Sequence, residues 1–167
     1  PQGNACRVSP VNVASAPPCQ LVACDYGRIL GLSWVNDGRV VFCGEDDGVY
    51  VVDVLKGGPR CPLGCHRSYV ADVAAHGDSV VTAGWDGRLM LWPLSDARDL
   101  AGMNTSFTAD DGVELTAVDP GRTFWGVKWP QEDVVFASSS EASGRCLLHR
   151  IELVTDIDES DEYDESY

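Results

Sequence analysis

The chain has 167 residues, is 44% hydrophobic and 23% charged, and carries a formal net charge of −14. It is long enough for one domain with a real core, and no apolar run approaches the roughly eighteen residues that cross a membrane as a helix. The last twelve residues, DIDESDEYDESY, hold seven carboxylates and no base, yet the remainder still has 19 acids against 12 bases. A body of that sign repels phosphate, so direct nucleic-acid binding is not expected, nor is a membrane partner.

Residues 1–18, PQGNACRVSPVNVASAPP, contain four prolines and no apolar period, and predict an irregular N-terminal segment. From Gln20 the chain becomes a string of short apolar runs separated by Gly, Asp, Asn or Pro, the pattern of β-strands. QLVAC, ILGLSW, RVVFCG and VYVVDV fall in a first unit, 20–58. SYVADVA, SVVTAG and RLMLW fall in a second, 59–95, which opens on CPLGCH, read as a connecting loop with two thiols. Residues 96–120, rich in Asp, Gly, Thr and Ser, form an insertion in which DARDLAGM is the best candidate for a helical turn. TFWGVKW, DVVFASS and RCLLHRI make a third unit, 121–153. Residues 156–167 read as a disordered acidic tail, either merely solvated or an interaction tail for basic partners. The cysteine count of seven is odd, which does not suit a closed disulfide framework. It points to a reducing compartment, and so to a cytoplasmic or nuclear protein.

Many short strands without a long helical stripe mean an all-β fold. The glycines Gly48, Gly87 and Gly144 choose between sandwich and radial repeat. Two apolar runs precede each and one follows, so three units of blade size share one grammar over 19–155. Around these anchors unit one offers Asp25, Cys43, Asp47 and Asp53, and unit three retains Gly144 and little else.

Unit two carries a resemblance. His66-x3-Val70-x2-Val73, Thr82-Ala-Gly-Trp-Asp86-Gly87 and Leu89-x-Leu91-Trp92 resemble a WD40 repeat. The resemblance implies a β-propeller blade in which His66, Thr82, Asp86 and Trp92 form a buried hydrogen-bonded tetrad. Asp86-Gly87 is expected to close a two-residue hairpin with positive φ angles. Such propellers usually close with seven blades. The expectation is therefore a WD40-type segment of about three blades, the C-terminal part of a longer propeller.

His66, Thr82 and Asp86 are also the residue types of a hydrolytic triad. The tetrad explains their spacing and includes Trp92, for which a triad has no use. No G-x-S-x-G elbow is present, since Gly31-Leu-Ser33-Trp-Val35 fails at its last position. No catalytic residue and no cofactor are expected. Cys61-x3-Cys65-His66 lacks a second ligand pair, so no metal is expected either. The residues singled out for binding are Trp85 at the hairpin tip, Asp46 at the corresponding place in unit one, and Arg67 and Tyr69 after His66. Trp, Tyr and Arg are enriched at binding hot spots, and the resemblance implies contacts on this edge.

The functional expectation is a non-enzymatic scaffold or adaptor holding protein partners in a multiprotein complex, with basic peptides or histone-like tails among them. ILGLSWVNDG and VVTAGWDGRLMLW are also similar to the WD-repeat subunit of the methylosome, and are phrases general to WD40 repeats. That similarity implies an alternative, a cofactor subunit of an arginine methyltransferase or other chromatin complex. A propeller-based hydrolase is the further alternative. It needs convergent acids and histidines, and the chain has three histidines, 66, 76 and 149.

Overall fold

A computed structural model describes residues 5–8, 20–23, 25–35, 38–57, 59–94, 112–116 and 121–153, the first two stretches as backbone only. The helical turn expected at 96–103 and the acidic tail lie outside the described residues. Among them every regular element is a strand. β1 (Ala5–Val8) pairs antiparallel with β2 (Gln20–Ala23), so part of the segment read as irregular is a strand.

Three larger sheets follow. The first blade has the order β3 (Ile29–Trp34), β4 (Arg39–Gly44), β5 (Gly48–Asp53), β6 (Cys61–Cys65). The second runs β7 (Val70–His76), β8 (Ser79–Gly84), β9 (Leu89–Pro93), β10 (Val113–Glu114). The third has β11 (Arg122–Gln131), β12 (Val134–Glu141) and β13 (Cys146–Glu152). All pairings are antiparallel between chain neighbours.

Two of these strands correct the sequence reading. CPLGC is not a loop but the outer strand of the first blade, with Cys65 opposite Gly48 and Pro62 opposite Tyr50. A proline, lacking an N–H, is tolerated on such an edge. Val113–Glu114, inside the expected insertion, pairs with Met90 and Leu91 and completes the second blade. Sequence unit and blade are thus offset by one strand.

The middle blade explains the near-continuous apolar runs. Val80, Met90 and Trp92 pack against Val41, Cys43, Val49, Val51 and Leu63 of the first blade. Their neighbours Val81, Ala83 and Leu89 pack against Phe124, Val127, Val135 and Ala137 of the third. A sheet buried on both faces needs apolar residues at successive positions, not at alternate ones. A two-layer sandwich would leave one face of each sheet to water; here the middle sheet has none.

Polar links pin the seams between blades. Asp72 accepts from the Val127 backbone N–H at 3.1 Å and the Lys128 ammonium at 2.8 Å through one oxygen, and from the Val73 N–H at 2.9 Å through the other. Buried Arg39 donates to the Leu94 carbonyl at 3.3 Å and pairs with Asp78 at 3.4 Å. Ser33 accepts from the Ala75 N–H at 3.0 Å.

Candidate protein-interaction site

The site is built on the β8–β9 turn, and its foundation is the four-residue chain beneath it. His66 Nδ1 lies 3.0 and 3.1 Å from the two Asp86 oxygens, and its Nε2 lies 2.6 Å from Thr82 Oγ1. Trp92 Nε1 donates to the same hydroxyl at 2.8 Å. His66 Nδ1, which faces the carboxylate, carries a hydrogen and donates to it. Thr82 Oγ1 accepts from Trp92, bonds His66 Nε2 and lies 3.5 Å from the Met90 carbonyl, so each side-chain polar atom of these four residues has a partner. Gly64 on β6 makes room for the tryptophan, since a side chain there would collide with the Trp92 ring.

Asp86 also accepts from the backbone N–H groups of Arg67 at 2.9 Å and Arg88 at 3.2 Å. Burial by itself pushes the Asp86 carboxyl up. The hydrogen bonds from His66, Arg67 and Arg88 outweigh it and hold the group below the usual carboxylate range. Thr82 is 0% exposed, so its hydroxyl has no approach for a substrate, and this His–Thr–Asp set is architecture.

The hairpin differs from the two-residue expectation. Gly84 N–H bonds the Arg88 carbonyl and Gly87 N–H bonds the Gly84 carbonyl, enclosing three loop residues. Only Gly87, at φ 81°, is left-handed; Asp86 is not. This is a type I turn closed by a bulge glycine. The β12–β13 turn repeats it with Gly144 at φ 83°.

In the first blade the left-handed position is filled by Asp47, at φ 63°, a residue whose short polar side chain tolerates that conformation. Strand register makes the consequence explicit. Cys43 pairs with Val49 as Ala83 pairs with Leu89, which sets Asp46 against Asp86 and Glu45 against Trp85. Asp46 behaves accordingly. It accepts from the N–H of Asp25 at 2.5 Å and of Gly48 at 3.3 Å, and from the Tyr50 hydroxyl at 2.7 Å. Asp46 is thus the turn acid of the first blade and not the counterpart of Trp85. Anchoring on Gly48 had shifted the alignment by one.

The same register recovers a pair in the third blade that the sequence reading missed. Ser139 and His149 stand where Thr82 and Trp92 stand in the second, and Ser139 Oγ lies 2.7 Å from His149 Nε2. The signal was available: both lie at the same offsets from Gly144 as their counterparts do from Gly87. A histidine in the tryptophan's place disguised it.

Above the tetrad lies an aromatic cluster. Trp85 N–H bonds the Tyr69 carbonyl at 2.8 Å, and the two rings sit 5.1 Å apart. The edge of a third ring, Trp125 of β11, meets Trp85 at 5.0 Å and 61°, and its Nε1 donates to Ser140 at 2.8 Å. Trp85 and Tyr69 are each 37% exposed, and Trp125 51%. Trp85 and Tyr69 thus lie together, and Trp125 joins them from the next blade. Arg67 is exposed in the β6–β7 connection, its N–H on Asp86.

An acidic field lies on the first-blade side of the cluster, about Tyr26 and Tyr69. Burial, then the charges of Asp46 and Asp86, pushes the Asp47 carboxyl up. Asp47 first, then Asp46, Tyr69 and Asp25, raise the hydroxyl of Tyr26, itself 58% exposed. Carboxylates that oppose each other's ionisation are relieved by a cation. Nearby Arg28 is held by Glu45, whose carboxyl its hydrogen bonds keep low. Among the described residues no group of three His, Cys, Asp or Glu side chains is placed to hold a metal ion.

Three stacked antiparallel blades, the type I turn with its bulge glycine, and the His–Thr–Trp–Asp chain define a segment of a WD40-type β-propeller. No family model and no curated protein sequence matches the chain. Among solved structures it is similar to the WD40 beta propeller domain of Doa1, with a TM-score of 0.54 and 12% identity. The likeness covers 72% of this chain and 37% of that one, and at this identity it concerns the fold.

Proposed function

We propose that the protein is a non-enzymatic WD-repeat scaffold that holds protein partners on the turn edge of its blades. The observation that carries this reading is the exposed Tyr69–Trp85–Trp125 cluster, seated on a buried polar network with the acids of the first blade's turn on its Tyr69 side. Water-exposed aromatic rings on stiff turns supply apolar contact at small entropic cost. The neighbouring acids select for lysine and arginine, whose cations also sit favourably over indole faces. A basic, histone-like tail therefore suits the site, which is also the partner class of a methyltransferase cofactor subunit. An odd cysteine count suits a reducing compartment, and with it work in the cytoplasm or nucleus.

The test is affinity purification of the full chain from a lysate, beside Trp85→Ala and Trp125→Ala, with direct binding of a fluorescent histone-tail peptide. Both variants should fold as the wild type does, lose the same co-purifying proteins, and bind the peptide about tenfold more weakly. An unchanged set of partners with unchanged peptide affinity would sink the assignment of this edge.

A further inference from the structure

The opposite end of the same strands carries a second concavity. The β7–β8 turn and the β11–β12 turn lie at the end of their strands away from Trp85. Between them, the outer strands of the second and third blades diverge around a cleft of about 680 Å³. Its apolar lining includes Leu91, Val113, Leu115, Trp129, Ile151 and Leu153. Trp129 is fixed in place: its ring stacks on His76 at 5.5 Å and 28°, and its Nε1 donates to the Glu132 carbonyl at 3.2 Å. The walls are equally firm, with Leu115 N–H on the Leu89 carbonyl and Leu153 N–H on the Asp133 carbonyl, both at 2.8 Å.

The rim has one sign. Asp78, Glu114, Glu132 and Glu152 line the cleft, and no lysine or arginine does. Arginines reach three of these acids: buried Arg39 pairs with Asp78, largely buried Arg88 with Glu114, and exposed Arg150 with Glu152 on the same strand. A carboxylate has about four acceptor sites, so such pairs do not exhaust it. Glu132 stands exposed at the mouth beside exposed Asp133.

We propose that this cleft is a second docking site, separate from the aromatic edge, for a partner segment in which an apolar side chain is flanked by lysine or arginine. The apolar residue fills the lined hollow, and the flanking cations meet the rim acids. A neutral apolar segment would forgo the rim, and an acidic one would be repelled by it. With a site at each end of its strands, the segment bridges two partners, or two stretches of one partner.

The probe is a short fluorescein-labelled peptide with a central leucine between pairs of arginines, titrated into the full chain by anisotropy. A peptide with glutamates for the arginines is the control. Two exposed positions test the cleft without touching the core: Glu132→Lys and Val113→Arg. Trp85→Ala reports on the other edge. The basic peptide should bind, the acidic one should not, and each cleft variant should weaken binding about fivefold, in the wild-type chain and equally in the Trp85→Ala background that disables the other edge. Added salt should weaken the wild-type complex. Equal binding by wild type and both cleft variants overturns the proposal. So does loss confined to Trp85→Ala, which would place the peptide on the aromatic edge, and so does absence of binding to the wild-type chain.

Discussion

Replacing Thr82 by valine changes almost nothing in shape and removes one oxygen. That oxygen serves two buried ring nitrogens, Trp92 Nε1 at 2.8 Å and His66 Nε2 at 2.6 Å, at a position with 0% exposure. Valine leaves both nitrogens without a partner where water does not reach. Each such orphan costs about 1–3 kcal/mol, and the added methyl returns less than about 1 kcal/mol of that. The net loss is about 3 kcal/mol, a large share of the 5–15 kcal/mol that typically hold a domain together. With a urea slope of about 2 kcal/mol/M, the unfolding midpoint followed by tryptophan fluorescence should fall by about 1.5 M. Thr82→Ser keeps the hydroxyl and loses only a methyl, so it should cost about 1 kcal/mol. A valine variant within about 0.5 kcal/mol of wild type, or a serine variant as damaged as the valine one, would refute the reasoning that the hydroxyl joins the two rings.

Two further outcomes concern the same network and its surroundings. Asp86 is held below the usual carboxylate range in the folded state. Its contribution is fully present above the unfolded-state value of about 4, and is lost as pH falls through the lower folded-state value. Urea midpoints of the wild type should therefore drop more steeply below about pH 4 than those of Asp86→Asn, and parallel profiles would show that Asp86 contributes no such stability. Gly64→Ala drives a methyl into the Trp92 ring. Overpacking of this kind costs about 1–3 kcal/mol, so the melting temperature by circular dichroism should fall by about 5 °C, and an unchanged melt would mean the ring is not held against β6.

The elements of one blade were legible because their determinants are local. Glycine at the turn, apolar runs on either side and a hydroxyl, an acid and an indole at fixed offsets place Thr82, Asp86 and Trp92 by hairpin register alone. His66 joins them because one strand brings it back over the turn. Reading failed where a residue did the work of another. Asp47 took a glycine's backbone conformation and displaced Asp46 by one position, and His149 took a tryptophan's bond to Ser139.

Other features lay beyond any local pattern. CPLGC resembles a loop until β5 offers it an edge, and Val113–Glu114 is too short to announce a strand without β9 beside it. Trp125 reaches Trp85 from the far side of the insertion only because the second and third blades stack. Turn chemistry and side-chain alternation act over a few residues, and the amino-acid order determines them directly. Which blade faces which, and hence which exposed rings and acids share an edge or line a cleft, is decided by the burial of whole apolar faces, and that exists only once the sheets have met.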